Sequence, residues 1–187
     1  MGFPPPESRS DALSCMSSID LSLMTGYSQQ EEPELKKLEL EAEETMFVLL
    51  SDVHLDDPNV MVKLRMMFEG FSTLDTPPAM FVFMGNFTSS PFGKDSSDVQ
   101  DYKKCFDELA ELLLEFSVLL TKSKFLFVPG PNDPGAKVLP KSPIPSYFTS
   151  SLRDQLPPHT CHFTTNPCRI KYFTQGKVVV DCLLIAC

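Results

Sequence analysis

Three short apolar runs constrain this chain more than any other feature. Residues 46–50 (Met46-Phe47-Val48-Leu49-Leu50), 79–84 (Ala79-Met80-Phe81-Val82-Phe83-Met84) and 124–128 (Lys124-Phe125-Leu126-Phe127-Val128) are of strand length and almost without polar interruption. Runs that are apolar at every position belong to strands buried on both faces, as in a parallel sheet covered by helices. The intervening text fits the crossovers. Asp57-Pro58 reads as an N-cap followed by proline in the first turn, and Val60, Leu64, Met67 and Phe71 then share one helical face. Residues 101–120 carry a stripe of Phe106, Leu109, Leu113, Phe116 and Leu120, widened by Leu112, with acidic residues on the remainder. The order β-α-β-α-β with long crossovers predicts an α/β fold with parallel strands.

The flanks read differently. Residues 1–30 are rich in Pro, Ser and Gly and are expected to form a flexible or disordered arm. Residues 31–44 hold seven Glu and two Lys, with Leu35, Leu38 and Ala42 at helical spacing, and predict a short solvated helix. Beyond Pro129 the text turns Pro-rich. A short helix is expected over 147–156, and strands over 161–165, 170–174 and 178–180. The organisation expected is an arm over 1–45, an ordered domain over 46–175 and a tail over 176–187. The chain stops on the apolar run Leu183-Leu184-Ile185-Ala186, which reads as a truncation, and a non-functional truncated product is one reading of it.

Composition narrows the function classes. The 187 residues include 25 acidic against 16 basic ones, a net charge of −9. Such a chain repels phosphate backbones, because nucleic-acid affinity comes mostly from Lys and Arg neutralising phosphates. Lys122, Lys124, Lys137 and Lys141 are scattered and define no DNA groove. No apolar run reaches the roughly 18–20 residues of a membrane span. The N-terminus lacks the basic and apolar regions of a signal peptide. The six cysteines, Cys15, Cys105, Cys161, Cys168, Cys182 and Cys187, are irregularly spaced and read as free thiols in a reducing compartment, cytosol or nucleus.

In a parallel sheet, the loops after the strand C-terminal ends converge on one crevice. Here they are Ser51-Asp52-Val53-His54-Leu55-Asp56, Gly85-Asn86 and Pro129-Gly130-Pro131-Asn132-Asp133. Asp52-x-His54 offers a carboxylate and an imidazole, the usual start of a divalent-metal pair. The three blocks resemble those of the calcineurin-like metallophosphoesterases, which read D-x-H, G-D and G-N-H-[DE]. Asp52 and His54 match the first. Asn86 stands where that family has its bridging aspartate, Pro131 where it has a ligand asparagine, and Asn132 where it has the catalytic histidine, while Asp133 is retained. The resemblance therefore implies an incomplete calcineurin-like phosphoesterase domain. Its metal-site positions Asp52, His54, Asn86, Asn132 and Asp133 are vestigial, with no catalytic residue, no metal and no cofactor.

The match tightens with Gly85-Asn86-Phe87-x-Ser89-x-Pro91-x-Gly93-Lys94, Val128-Pro129-Gly130-Pro131-x-Asp133-Pro134-Gly135 and residues 163–170, Phe163-Thr164-Thr165-Asn166-Pro167-Cys168-Arg169-Ile170. These resemble the B-subunits of the replicative DNA polymerases, the epsilon type in particular, strongly over 46–175, with a divergent tail after it. That family implies a non-catalytic accessory subunit in the nucleus. Its partner would be the C-terminal region of the polymerase catalytic subunit, with DNA contacted mainly through the complex and no membrane. The alternative, a manganese- or magnesium-dependent phosphodiesterase, rests on Asp52-x-His54.

Plainer readings stand beside these. Asp52 is expected to accept backbone N–H groups of the turn that follows it. His54 is expected to be a capped turn residue bonded to a neighbouring loop. His159, Cys161, His162 and Cys168 lack the paired two-residue gaps of structural zinc sites, and adjacent Cys161 and His162 would point to opposite faces of a strand. Gly130 and Gly135 bracket a turn that keeps the shape of the crevice.

Overall fold

The computed structural model describes residues 37, 40, 45–94, 97–172 and 176–180. The arm expected over 1–30, the acidic helix over 31–44 apart from Lys37 and Leu40, and the end of the tail lie outside the described residues. The chain divides into two compact units, Met1–Glu43 with Lys171–Gly176, and Glu44–Ile170 with Lys177–Cys187. In the first, Lys37 and Leu40 are helical and exposed. The second carries the sheet and the site.

In chain order the elements are β1 (Phe47–Ser51), α1 (Pro58–Ser72), β2 (Met80–Met84), α2 (Asp98–Leu114), α3 (Ser117–Lys122), β3 (Lys124–Val128), α4 (Ser150–Gln155) and β4 (Cys161–Phe163), all in the second unit, followed by β5 (Cys168–Tyr172) and β6 (Gly176–Val180). The first four strands form one sheet in the order β1-β2-β3-β4, every pair parallel, while β5 and β6 form a separate two-stranded sheet. The α/β fold expected from the apolar runs is present. The register aligns phenylalanines across strands: Phe81 with Phe125, Phe83 with Phe127, Phe127 with Phe163. Their rings stack at centroid distances of 5.2, 5.1 and 5.0 Å. That spacing is close to the strand separation itself, so the backbone ladder holds the rings in offset contact. Phe68 of α1 and Phe106 of α2 close over this face, and Phe163 carries the Arg153 guanidinium 4.3 Å from its ring centroid.

Alternate residues point the other way, where Val82, Leu126 and Val128 pack with Cys168 and the partly buried Met80, Met84 and Ile170. β2 and β3 are thus buried on both faces, as their unbroken apolar text predicts. β1 is not. It is one of the two edge strands of the sheet among the described residues, and Leu49 remains 54% exposed because this second cluster does not extend over it.

Two further elements differ from expectation. Asp57 does cap α1, its carboxylate accepting from Asn59 N–H at 2.8 Å, with Pro58 in the first turn. The helix expected over 101–120 instead starts at Asp98 and breaks after Leu114. Phe116, at φ −110 and ψ 68, leaves the helical conformation and places its ring 5.7 Å from Phe68, and α3 starts anew at Ser117. The 161–165 segment forms only Cys161–Phe163, yet it extends the main parallel sheet as β4.

Cys105 and Cys161 are free thiols. Burial pushes Cys105 up to about 11 and Cys161 up to about 12 from an ordinary value of 9.0. Between about pH 9 and pH 11 the folded chain holds thiol protons that the unfolded chain has released, so stability falls as pH rises through that window. Urea midpoints at about pH 8 and about pH 10 should show this decline, and Cys105→Ala should flatten it. Phe127→Ala should cost about 3–5 kcal/mol and Phe127→Leu about 1.5 kcal/mol or less by urea titration. Equal, small losses would mean that the ring ladder contributes little.

Candidate functional site at the strand C-terminal ends

Parallel register brings the three loops to one level, because Ser51, Met84 and Val128 are aligned across β1, β2 and β3. The ladder then continues one step into the loops, with Asp52 N–H donating to the Met84 carbonyl at 3.1 Å and Gly85 N–H to that of Val128 at 2.8 Å. Asp52 turns the chain at φ +52, a left-handed conformation that aspartate adopts more readily than most residues. The second and third loops pass so closely that a Cβ on Gly85 would overlap the Asp133 carboxylate and Gly130 N. A Cβ on Gly130 would sit 2.6 Å from both Asn86 Oδ1 and the Gly85 carbonyl carbon. Glycine is required at both positions for steric reasons.

Asn86 joins all three loops. Its backbone N–H and its Nδ2 each donate to Asp52 Oδ1 at 3.3 Å, and its Oδ1 accepts from Asn132 N–H at 2.9 Å. An uncharged amide offers both a donor and an acceptor on one planar head. Asp133 works from beneath: Oδ1 accepts from Phe87 N–H at 2.9 Å and Oδ2 from Gly130 N–H at 2.6 Å. It is buried. Burial raises its pKa above the ordinary carboxylate value, while those two bonds and the Lys141 charge pull the other way. Asp56 adds a further tie, accepting from Ser89 N–H at 2.9 Å.

Of the five positions singled out in the sequence, Asp52, Asn86 and Asp133 enter this network through their side chains and Asn132 through its backbone. His54 does not; neither ring nitrogen has a hydrogen-bond partner among the described residues, and it is tied in through its backbone alone, its N–H donating to the Asp52 carbonyl at 3.0 Å and its carbonyl accepting from Asp57 N–H at 3.1 Å. Asp52 also departs from expectation, since its Oδ1 binds the Asn86 loop and not the turn that follows it.

Three contributors escaped the sequence. Lys141, one of four lysines that read as scattered surface charge, is 2% exposed, and its ammonium donates to the carbonyls of Asp133 at 2.6 Å and Pro131 at 3.2 Å. Burial pulls its pKa below the usual lysine value, opposed by the charge of Asp133. Asn166 is buried, pairs with Lys141 through the backbone and donates from Nδ2 to the Pro129 carbonyl at 2.8 Å. Tyr102, also buried, lies within electrostatic reach of Asp133, but its hydroxyl has no partner of bonding geometry among the described residues. No periodicity marks such residues; their burial is set by which loops the fold brings together.

The donor set does not fit a pair of metal ions. Asn86 turns an N–H donor toward Asp52 and uses its one oxygen on Asn132. Both Asp133 oxygens accept buried N–H groups, and Pro131 has no side-chain donor atom. Among the described residues, no group of three or more His, Cys, Asp or Glu is placed to hold a metal ion, at this crevice or around His159, Cys161, His162 and Cys168. His162 Nε2 instead lies 3.0 Å from the His159 carbonyl.

Asn86→Asp should therefore destabilise the fold by about 2 kcal/mol near neutral pH, since it removes the Nδ2 donor and sets a carboxylate against Asp52. Two such carboxylates share a raised pKa, so the folded variant binds more protons than the unfolded one and its loss should shrink in acid. Thermal melts across the acid range check the sign; a loss independent of pH would contradict it.

Residues 47–185 match the family of the DNA polymerase alpha/epsilon B subunit. DNA polymerase epsilon subunit 2 of Homo sapiens is 42% identical over 180 residues, 95% of this chain and 33% of that protein. The DNA polymerase epsilon B subunit of Arabidopsis thaliana is 38% identical over 178 residues, 95% of this chain and 34% of that protein. The DNA polymerase epsilon B subunit of Schizosaccharomyces pombe is 34% identical over 183 residues, 96% of this chain and 30% of that protein. The chain spans about a third of the length of these relatives. With a match that runs from the first strand of the sheet through its last, the chain belongs to the DNA polymerase alpha/epsilon B-subunit family.

Proposed function

We propose that this protein is a non-catalytic accessory subunit of DNA polymerase epsilon that scaffolds the catalytic subunit during DNA replication in the nucleus. The observation that carries the reading is Asn86, whose amide ties Asp52 to Asn132 where a two-metal phosphoesterase needs a bridging carboxylate. Residues 46–175 are read as part of a calcineurin-like phosphoesterase domain, between an arm over 1–45 and a tail over 176–187. Within it, Asp52, His54, Asn86, Asn132 and Asp133 keep the positions of a metal site without its chemistry. Family membership and the names of the relatives support the polymerase assignment. The partner contact is the C-terminal region of the catalytic subunit, and DNA is reached mainly through the complex. The acidic balance of the chain favours that route, since it provides few phosphate-neutralising groups.

Co-expression with the C-terminal region of the polymerase epsilon catalytic subunit, followed by size-exclusion chromatography, tests this. A one-to-one complex is expected, and separate elution of two folded proteins would overturn the scaffold reading. The same protein should show no manganese-dependent hydrolysis of an aryl phosphodiester. Turnover that disappears on His54→Ala would contradict the non-catalytic assignment.

A further inference from the structure

We infer that the groove between α1 and α2 is a docking site for a basic, amphipathic segment of a partner protein. Both helices connect strands of one parallel sheet, and their exposed flanks meet along a trough. Two adjoining depressions of about 420 and 280 Å³ share Met61 and Glu108 and so form one continuous groove. Its α2 wall runs from Asp101 to Glu115, about 20 Å at the helical rise, or roughly four turns of a docked helix.

The floor is apolar: half-buried Met61 faces the groove, and Leu55, Cys105 and Leu112 lie buried beneath it. Val62 in the α1 wall is 57% exposed, and Met66, one turn further on, is 65% exposed, which extends the apolar surface along α1. Methionine and valine left open beside a groove are an adaptable hydrophobic contact for side chains at helical spacing.

The rim selects the partner's charge. Asp56, Asp101, Glu108, Glu111 and Glu115 line it, against only Arg65 and Lys104. Both cations are already engaged, Arg65 with both carboxylate oxygens of Glu115 and Lys104 with Glu108 at 3.5 Å. Asp101 and Glu111 have no ion-pair partner among the described residues. A segment with apolar residues on one face and Lys or Arg flanking them satisfies both the floor and the rim. Nucleic acid is repelled by the same carboxylates. This inference does not rest on the accessory-subunit reading.

The test is fluorescence anisotropy with a labelled helical peptide carrying leucines at three- and four-residue spacing and lysines elsewhere. A twin with glutamate in place of lysine and a second with serine in place of leucine serve as controls. The lysine–leucine peptide is expected to bind, more weakly as salt rises, and neither control to bind. Asp101→Lys with Glu111→Lys should weaken binding about tenfold by placing like charges on the rim. Asp75→Lys with Asp154→Lys makes the same change in net charge on exposed residues outside the groove and should leave binding unchanged. Equal losses in the two double variants, or no binding by the parent chain, would overturn the inference.

Discussion

The stacked phenylalanines of β2, β3 and β4 are the constraint on which the rest of this structure depends. Rings at 5.0–5.2 Å match the strand separation, so they pack only when Phe81 lies opposite Phe125 and Phe127 opposite both Phe83 and Phe163. A slip of one residue would turn these rings to the opposite face and set Val82 and Leu126 against the helices. Register in turn decides where each strand ends. The loops carrying Asp52, Asn86 and Asp133 meet because Ser51, Met84 and Val128 share one level. The geometry of the crevice is thus a consequence of apolar packing below it.

At that level the chain resolves a conflict between charges by chemistry that needs no metal. Carboxylates gathered at strand ends repel each other unless cations or N–H donors stand between them. Asn86 supplies donors to Asp52, Phe87 and Gly130 supply them to Asp133, and the Lys141 ammonium holds the carbonyls of the third loop. Apart from the Gly130 N–H, which serves Asp133 of its own loop, each of these groups is spent on another loop. The result is three loops tied to one another by hydrogen bonds. The α1–α2 groove has the opposite character, since its carboxylates outnumber its cations and Val62 and Met66 beside it are exposed.

The parts of the fold legible in the sequence were those governed by local pattern. Unbroken apolar runs marked β2 and β3, and Asp57-Pro58 marked the start of α1, because strand burial and helix capping act within a few residues. The break at Phe116 was hidden, since Phe116 and Leu120 continue the helical stripe and only contact with Phe68 and the Arg65–Glu115 pair draws the chain aside. The exposure of Leu49 was hidden because edge position is a property of the sheet and not of the strand. At the site, loop convergence was legible and side-chain roles were only partly so. Asp52, Asn86 and Asp133 could be placed from the motif spacing. The buried Lys141 and Asn166 could not, since a lysine near prolines has no pattern that distinguishes a surface charge from one seated on the carbonyls of Pro131 and Asp133.

The central claim is that a direct Asp52–Asn86 contact does the work of a bridging metal. A double-mutant cycle measures it: Asp52→Ala, Asn86→Ala and the pair together, with unfolding free energies taken in chelator and again in excess manganese. A coupling of about 1 kcal/mol or more that is the same in both conditions is predicted. Zero coupling, or coupling that emerges only when manganese is added, would contradict the account.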